Sequence, residues 1–181
     1  IILYSKSSKI YYLFKSCRPR QWTKNLLVFA VPIFNFQLNW IIFLNTFTTL
    51  LCFCLISSSI YLLNDSLDVN QDRLHPIKKY RPIASGKINV KHSIIYVLIL
   101  CLMAFMILLQ FNLFTIILGM SSMLLAFSYP FMKRFTYWPQ LFLGITFNFG
   151  AILGWTAING HINLIPIILY FGAIFWTLGY D

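Results

Sequence analysis

The stretch YLLNDSLDVNQDRLHP, residues 61–76, holds most of the chain's acidity. Asp65, Asp68 and Asp72 lie within eight residues, the whole chain has only four acidic residues, and none of them is Glu. Asn64, Asp68 and Asp72 follow one another at i, i+4 and i+8, so a helix would stack them along one face, with Asp65 three residues before Asp68. Carboxylates stacked this way repel one another, and a divalent cation relieves the repulsion. Mg²⁺ takes hard oxygen ligands and is typically held by one or two carboxylates together with substrate phosphates. Arg73, Lys78, Lys79, Arg81 and Lys87 come next. Cations of that kind hold the phosphate oxygens that a metal leaves free. A metal column beside a basic loop implies a diphosphate. The competing reading is a solvated loop whose Asp and Lys residues pair with each other. An acid-poor chain that gathers its carboxylates here argues against it.

The elements that must carry this segment are apolar. Of 181 residues, 59% are hydrophobic and 10% charged, and the mean hydropathy is +0.75. Soluble domains carry about 25% charged residues, so the composition predicts an all-α, polytopic transmembrane bundle. Closed barrels need polar–apolar alternation, which is absent. The net charge of +10 is gathered between apolar stretches rather than along a stripe, which excludes a nucleic-acid partner and indicates membrane topology. Six apolar segments stand out, at about 22–38, 40–63, 92–110, 112–129, 137–158 and 163–180. The first is the weakest, being interrupted by Pro32 and NFQLN. Pro76 is expected to stop the helix that carries the carboxylates.

With six spans, every Lys and Arg falls on one face. They lie before the first segment, between the second and third, and between the fourth and fifth, and the opposite loops have none. The positive-inside rule makes that face cytoplasmic, and all four carboxylates share it. Mixed charge at one face of apolar spans suits an ionic substrate with a lipid tail. The chain begins at Ile1 rather than Met and stops at Asp181 after an apolar run, so a fragment of a longer protein is expected, and no signal-peptide pattern is present. The four cysteines have no metal spacing and read as small hydrophobes.

NDSLDVNQD, followed by YRPIASGKI, resembles the NDxxDxxxD motif and following loop of the UbiA-type intramembrane prenyltransferase superfamily, with similarity extending over roughly 18–181. RPRQWTKNLLVFAVPIF and the Asp-rich segment are most similar to decaprenyl-phosphate phosphoribosyltransferases. YPFMKRFTYWPQLFLGITFNFG and FWTLGYD resemble 4-hydroxybenzoate polyprenyltransferases. The chain is either a divergent homologue or a mosaic joined within 92–124.

The resemblance implies one domain over 1–181, with about six of the family's roughly nine spans, and Mg²⁺ as cofactor. It implies Asn64, Asp68 and Asp72 as metal and diphosphate ligands, with Asp65, Asp68 and Asp72 catalytic. Asp181 would be the first residue of a second Asp motif that completes the metal site. Substrate-binding roles are implied for Arg81, for Tyr129 and Lys133 as a Tyr/Lys pair, and for Arg18 and Lys24, with Arg134 also a candidate; Lys78 joins them from the basic loop.

The leading expectation is a multi-pass membrane transferase moving a polyprenyl group from its diphosphate to an aromatic acid such as 4-hydroxybenzoate, in quinone biosynthesis at the inner or plasma membrane. The alternative is phosphoribosyl transfer from phosphoribosyl diphosphate to a polyprenyl phosphate. A transporter is disfavoured because the ionisable groups sit at the membrane edge rather than the midplane. An inactive fragment or a non-enzymatic membrane protein is the remaining alternative. His75, His92 and His161 share no metal spacing, and Asn148 is read as helix–helix glue.

Overall fold

A computed structural model describes residues 8–34, 39–132 and 134–180. The described residues form helices and turns, without strands. Helix α1 (Lys9–Ser16) is capped by Ser8, whose hydroxyl accepts from the Tyr11 amide. Cys17 follows it, buried among apolar side chains, and burial pushes its thiol pKa up.

The first apolar segment differs from a regular membrane helix. Pro19–Phe29 is a 3-10 helix, continued by α2 (Ala30–Phe34). Runs of 3-10 helix beyond a few residues are uncommon, and the sequence explains this one. Three residues per turn bring Trp22, Asn25 and Val28 onto one line. The Trp22 indole donates to Ser58 Oγ (3.0 Å) and the Asn25 amide donates to Ser57 Oγ (3.2 Å). Val28 and Val31 meet Gly154, where a Cβ would stand 3.1 Å from Val28 Cγ1. A 3.6-residue period would turn one of these anchors away from its partner.

The pairs Arg18–Asp65, Trp22–Ser58 and Asn25–Ser57 run antiparallel along the long helix that follows. At about 2.0 Å rise per 3-10 residue, the 3-10 helix and α2 together reach roughly 30 Å, the thickness of a hydrocarbon core. The segment therefore has membrane-scale reach without being a membrane-length α-helix, which corrects the uniform α-helical span expected over 22–38; residues 35–38 lie outside the described part.

Among the described residues, four stretches are long and apolar enough to cross a bilayer: α3 (Trp40–Leu67), α5 (Val90–Leu108), α6 (Leu113–Met132), and Pro139–Asn159, which is divided into α7 (Pro139–Phe147) and α8 (Gly150–Asn159). The apolar part of α9 (Leu164–Tyr180) is shorter. The expected six spans thus become four full-length ones, a stretched first segment and a short last helix.

Helix α3 is the centre of the bundle, packed on α5, the 3-10 helix, α6 and α8. Its hydroxyl residues are satisfied within the helix: Thr46, Thr49, Ser58 and Ser66 each donate to the carbonyl four residues back. Their small size lets neighbours approach closely, and Ser66 meets Ser93 of α5 at 2.9 Å.

Candidate active site

The carboxylates sit where α3 ends. Helical geometry breaks at Asp68 (φ −92°, ψ 7°), and the short α4 (Val69–Leu74) follows. Backbone bonds from Asp68 N to Asn64 O (2.9 Å) and from Asp72 N to Asp68 O (2.8 Å) carry the helical spacing through the break. His75 is extended (ψ 134°), as the residue before a proline prefers. Its Nδ1 accepts the amides of Ile77 and Lys78, so His75 shapes the turn.

Arginines from three separate elements converge on these carboxylates. Asp65, 2% exposed, accepts from Arg18 Nη2 (2.5 Å) and Arg81 Nη1 (3.1 Å). The same Arg81 nitrogen donates to Asp72 Oδ2 (2.7 Å), bridging the two acids. Asp68 accepts from Arg134 Nη2 (2.8 Å) on the α6–α7 connection. The column inferred from spacing is therefore divided. Asp65 and Asp72 share one arginine, and Asp68 takes another. Arg18 is held in the left-handed region (φ 51°) just before Pro19, and its guanidinium lies 4.7 Å over the Tyr61 ring. A non-glycine residue in that region is strained and needs its surroundings to hold it there; the Asp65 ion pair and Tyr61 do so.

Next to this network opens a cavity of about 270 Å³. Arg18, Lys24, Asn25, Asn64 and Tyr129 give it a polar end; Ile60, Leu143 and Phe147 give it an apolar wall. Lys24, Asn148 and Thr177 also line a larger groove of about 750 Å³, whose other walls include Leu27, Ile168, Leu169 and Trp176. Asn148 lies at the α7–α8 break and donates to Thr177 Oγ1 of α9 (2.9 Å), as glue between helices. The site thus joins a cationic head region to an apolar channel.

Arg18, Lys24, Asn64 and Tyr129 line the cavity. Asp65, Asp68, Asp72 and Arg81 form the adjoining ionic network. Lys78 is exposed and lines neither space. Arg73 is engaged with the Ala84 carbonyl (3.2 Å). Lys133 and Asp181 lie outside the described residues. Sequence reasoning missed Asn25, Tyr61 and Thr177; the three-residue spacing of Trp22, Asn25 and Val28 was the available signal for Asn25.

Among the described residues no three of His, Cys, Asp and Glu gather as a metal site. Mg²⁺ does not need such a cage, since it is held by one or two carboxylates plus substrate phosphates. Asn64, Asp68 and Asp72 supply hard oxygen donors of that kind, so the residues present fit the ion.

Apolar helices long enough to cross a bilayer, with an arginine–carboxylate network beside a cavity that is polar at one end and apolar along its wall, define a helical membrane protein with a charged site. The UbiA prenyltransferase family model matches residues 26–181, and the chain belongs to that family. It is 49% identical over 120 residues to an Arabidopsis thaliana 4-hydroxybenzoate polyprenyltransferase, mitochondrial, covering 66% of this chain and 30% of that protein. The Homo sapiens protein of the same name is 43% identical over the same length, covering 66% and 32%. The chain spans about a third of the length of these curated relatives. Among solved structures it resembles one of a digeranylgeranylglyceryl phosphate synthase, with TM-score 0.73 and 18% identity over 94% of this chain and 60% of that one. It also resembles the apo structure of a UbiA homologue from Aeropyrum pernix K1, with TM-score 0.67 and 19% identity over 97% and 62%. These two likenesses concern the fold.

Proposed function

We propose that residues 1–181 form one UbiA-type domain carrying the donor-diphosphate site of a polyprenyltransferase, with polyprenyl diphosphate as donor and an aromatic acid such as 4-hydroxybenzoate as acceptor, in quinone biosynthesis. The observation that carries this reading is the continuity of the two spaces. Arg18 and Lys24 border a head region sized for phosphate groups, and the groove beyond is walled by Leu27, Ile168, Leu169 and Trp176. A diphosphate with a long apolar tail has that profile. The site opens at the membrane face that holds the Lys and Arg residues, which the positive-inside rule assigns to the cytoplasm.

In this reading Arg18 and Lys24 take diphosphate oxygens, and Asn64, Asp68 and Asp72 would hold Mg²⁺, with Asp181 and Lys133 assigned to the same head region by resemblance. Mg²⁺, when bound, supplies Lewis-acid stabilisation of charge on the departing diphosphate. Asp65 keeps Arg18 and Arg81 in place. Tyr61, Tyr129 and Phe147 present aromatic rings around the cavity, suited to shielding a developing allylic cation. As the donor C–O bond breaks, a ring carbon of the acceptor forms the new C–C bond and its proton leaves.

A 120-residue match within a 181-residue chain necessarily includes the Asp-rich segment and the loop after it. This supports reading the chain in the aromatic branch.

The test is activity of the full chain in membranes with Mg²⁺, comparing prenyl diphosphate plus 4-hydroxybenzoate with phosphoribosyl diphosphate plus polyprenyl phosphate. Product from the first pair is expected; product from the second pair alone overturns the assignment. Binding provides a second readout. Lys24→Gln should weaken prenyl diphosphate affinity about tenfold, the loss of one charge-assisted contact.

A further inference from the structure

A second cavity, of about 260 Å³, lies away from the donor site and shares no lining residue with it. It is formed between α1 and the turn that opens α5, and is lined by Lys9, Leu13, Lys87, Ile88, Asn89 and His92, with Gly86 completing the turn. We infer that this cavity binds the phosphate headgroup of an anionic phospholipid.

Charge is the first argument. The three described carboxylates are each taken by Arg18, Arg81 or Arg134. Among the described residues, none is left to neutralise Lys9 or Lys87. A cavity with two ammonium groups and an imidazole, and no facing carboxylate, is a site for an anion.

Construction is the second. Lys87 Nζ stands 4.7 Å over the Tyr12 ring, which restrains a stem that would otherwise be free. Gly86 turns the chain at φ +75°, which glycine adopts without strain, and so delivers Lys87 to the cavity. Asn89 caps α5 by accepting the Lys91 amide, and the positive end of that 19-residue helix points the same way as the side-chain charge.

Depth in the membrane is the third and selects the lipid source. Val90–Leu108 is a membrane-length apolar helix, so its first turn marks the boundary between headgroups and hydrocarbon. Helix α1 beside it exposes Ile10, Tyr11 and Phe14, an apolar and aromatic surface of the kind that lies in the interface. Leu13 and Ile88 line the cavity itself, giving acyl carbons a wall next to the cations. A soluble phosphate would gain nothing from these apolar groups.

The experiment uses the full chain in lipid nanodiscs and native mass spectrometry of the detergent-released protein. Phosphatidylglycerol should be retained in preference to phosphatidylcholine. At roughly fivefold per interfacial lysine, Lys9→Gln with Lys87→Gln should lower that retention about 25-fold. Lys78→Gln with Lys79→Gln removes the same charge from the neighbouring loop and should leave most of the preference intact. Equal losses in the two double variants would mean that net charge alone attracts the lipid and would overturn the site. Displacement of phosphatidylglycerol by millimolar inorganic phosphate would also overturn it, by assigning the cavity to a soluble anion. Unchanged thermal unfolding of both variants excludes misfolding as the cause, and an inactive transferase that still retains phosphatidylglycerol leaves this inference standing.

Discussion

The arginines and the lysines of the charged membrane face behave as two different populations. Arg18, Arg81 and Arg134 come from three parts of the chain and all end on the carboxylates of one helical segment. Lys78, Lys79, Lys87 and Lys91 belong to the same face, and none has a carboxylate partner among the described residues. The planar guanidinium of arginine holds its hydrogen bonds in fixed directions, and a single Arg81 nitrogen joins two acids. The hydrated ammonium of lysine is a mobile point charge. Arg18, Arg81 and Arg134 build a rigid site, while Arg73 turns to the Ala84 carbonyl; the loop lysines supply topology and, at Lys87 together with Lys9, a lipid contact, and Lys24 lines the donor cavity. Formal charge does not separate them. Side-chain geometry and burial do.

The strongest challenge to this contrast is Arg81→Gln. It would leave Asp65 and Asp72, both buried, without the nitrogen they share. Breaking a buried pair from one side costs about 3–5 kcal/mol. The variant should show a large fall in thermal unfolding temperature in detergent and lose prenyl diphosphate binding, because Arg18 would be left with an altered partner. Arg81→Lys keeps the charge but places it on a flexible stem without the rigid, planar placement of the guanidinium nitrogen, and should recover only part of the stability. Full recovery by lysine would erase the distinction between the populations. Arg134→Gln should cost less. Its side chain is 43% exposed and that of Asp68 12%, so water replaces part of the lost contact and the expected loss is about 1 kcal/mol. Its effect should appear mainly as weaker Mg²⁺-dependent diphosphate binding, measured by calorimetry.

Much of this was legible beforehand because membrane segments and charge runs are local patterns. The four long spans follow from unbroken apolar runs. Asn64, Arg18, Lys24 and Tyr129 could be selected from their motifs, and all four line the cavity. The division of the carboxylates was not legible. Helical spacing places Asn64, Asp68 and Asp72 on one face, but the kink at Asp68 and three arginines as many as 66 residues away decide which acid meets which cation. The 3-10 segment was hidden for a related reason. Its three-residue period is visible in Trp22, Asn25 and Val28, but it gains meaning only against Ser57, Ser58 and Gly154, which belong to other helices.

The smallest predicted effect sets the baseline for the others. Lys79→Gln should leave stability within about 0.5 kcal/mol of the parent, as expected for a surface substitution away from any special contact. Lys79 is exposed, and its described partner is the ring of the adjacent Tyr80, 5.3 Å away and itself 72% exposed. A cation over an exposed ring gains about 0.5–1 kcal/mol at most, and the lysine must give up rotamer freedom to stay there. The two contributions nearly cancel. Removing one positive charge from a face with excess positive charge also relieves some repulsion, which offsets the loss further. Thermal unfolding at low and at high salt checks the argument: the small difference should shrink as salt screens the remaining repulsion. A loss at Lys79 comparable with that at Arg81 would show that the loop lysines are structural after all, and that arginine geometry is not what distinguishes the site.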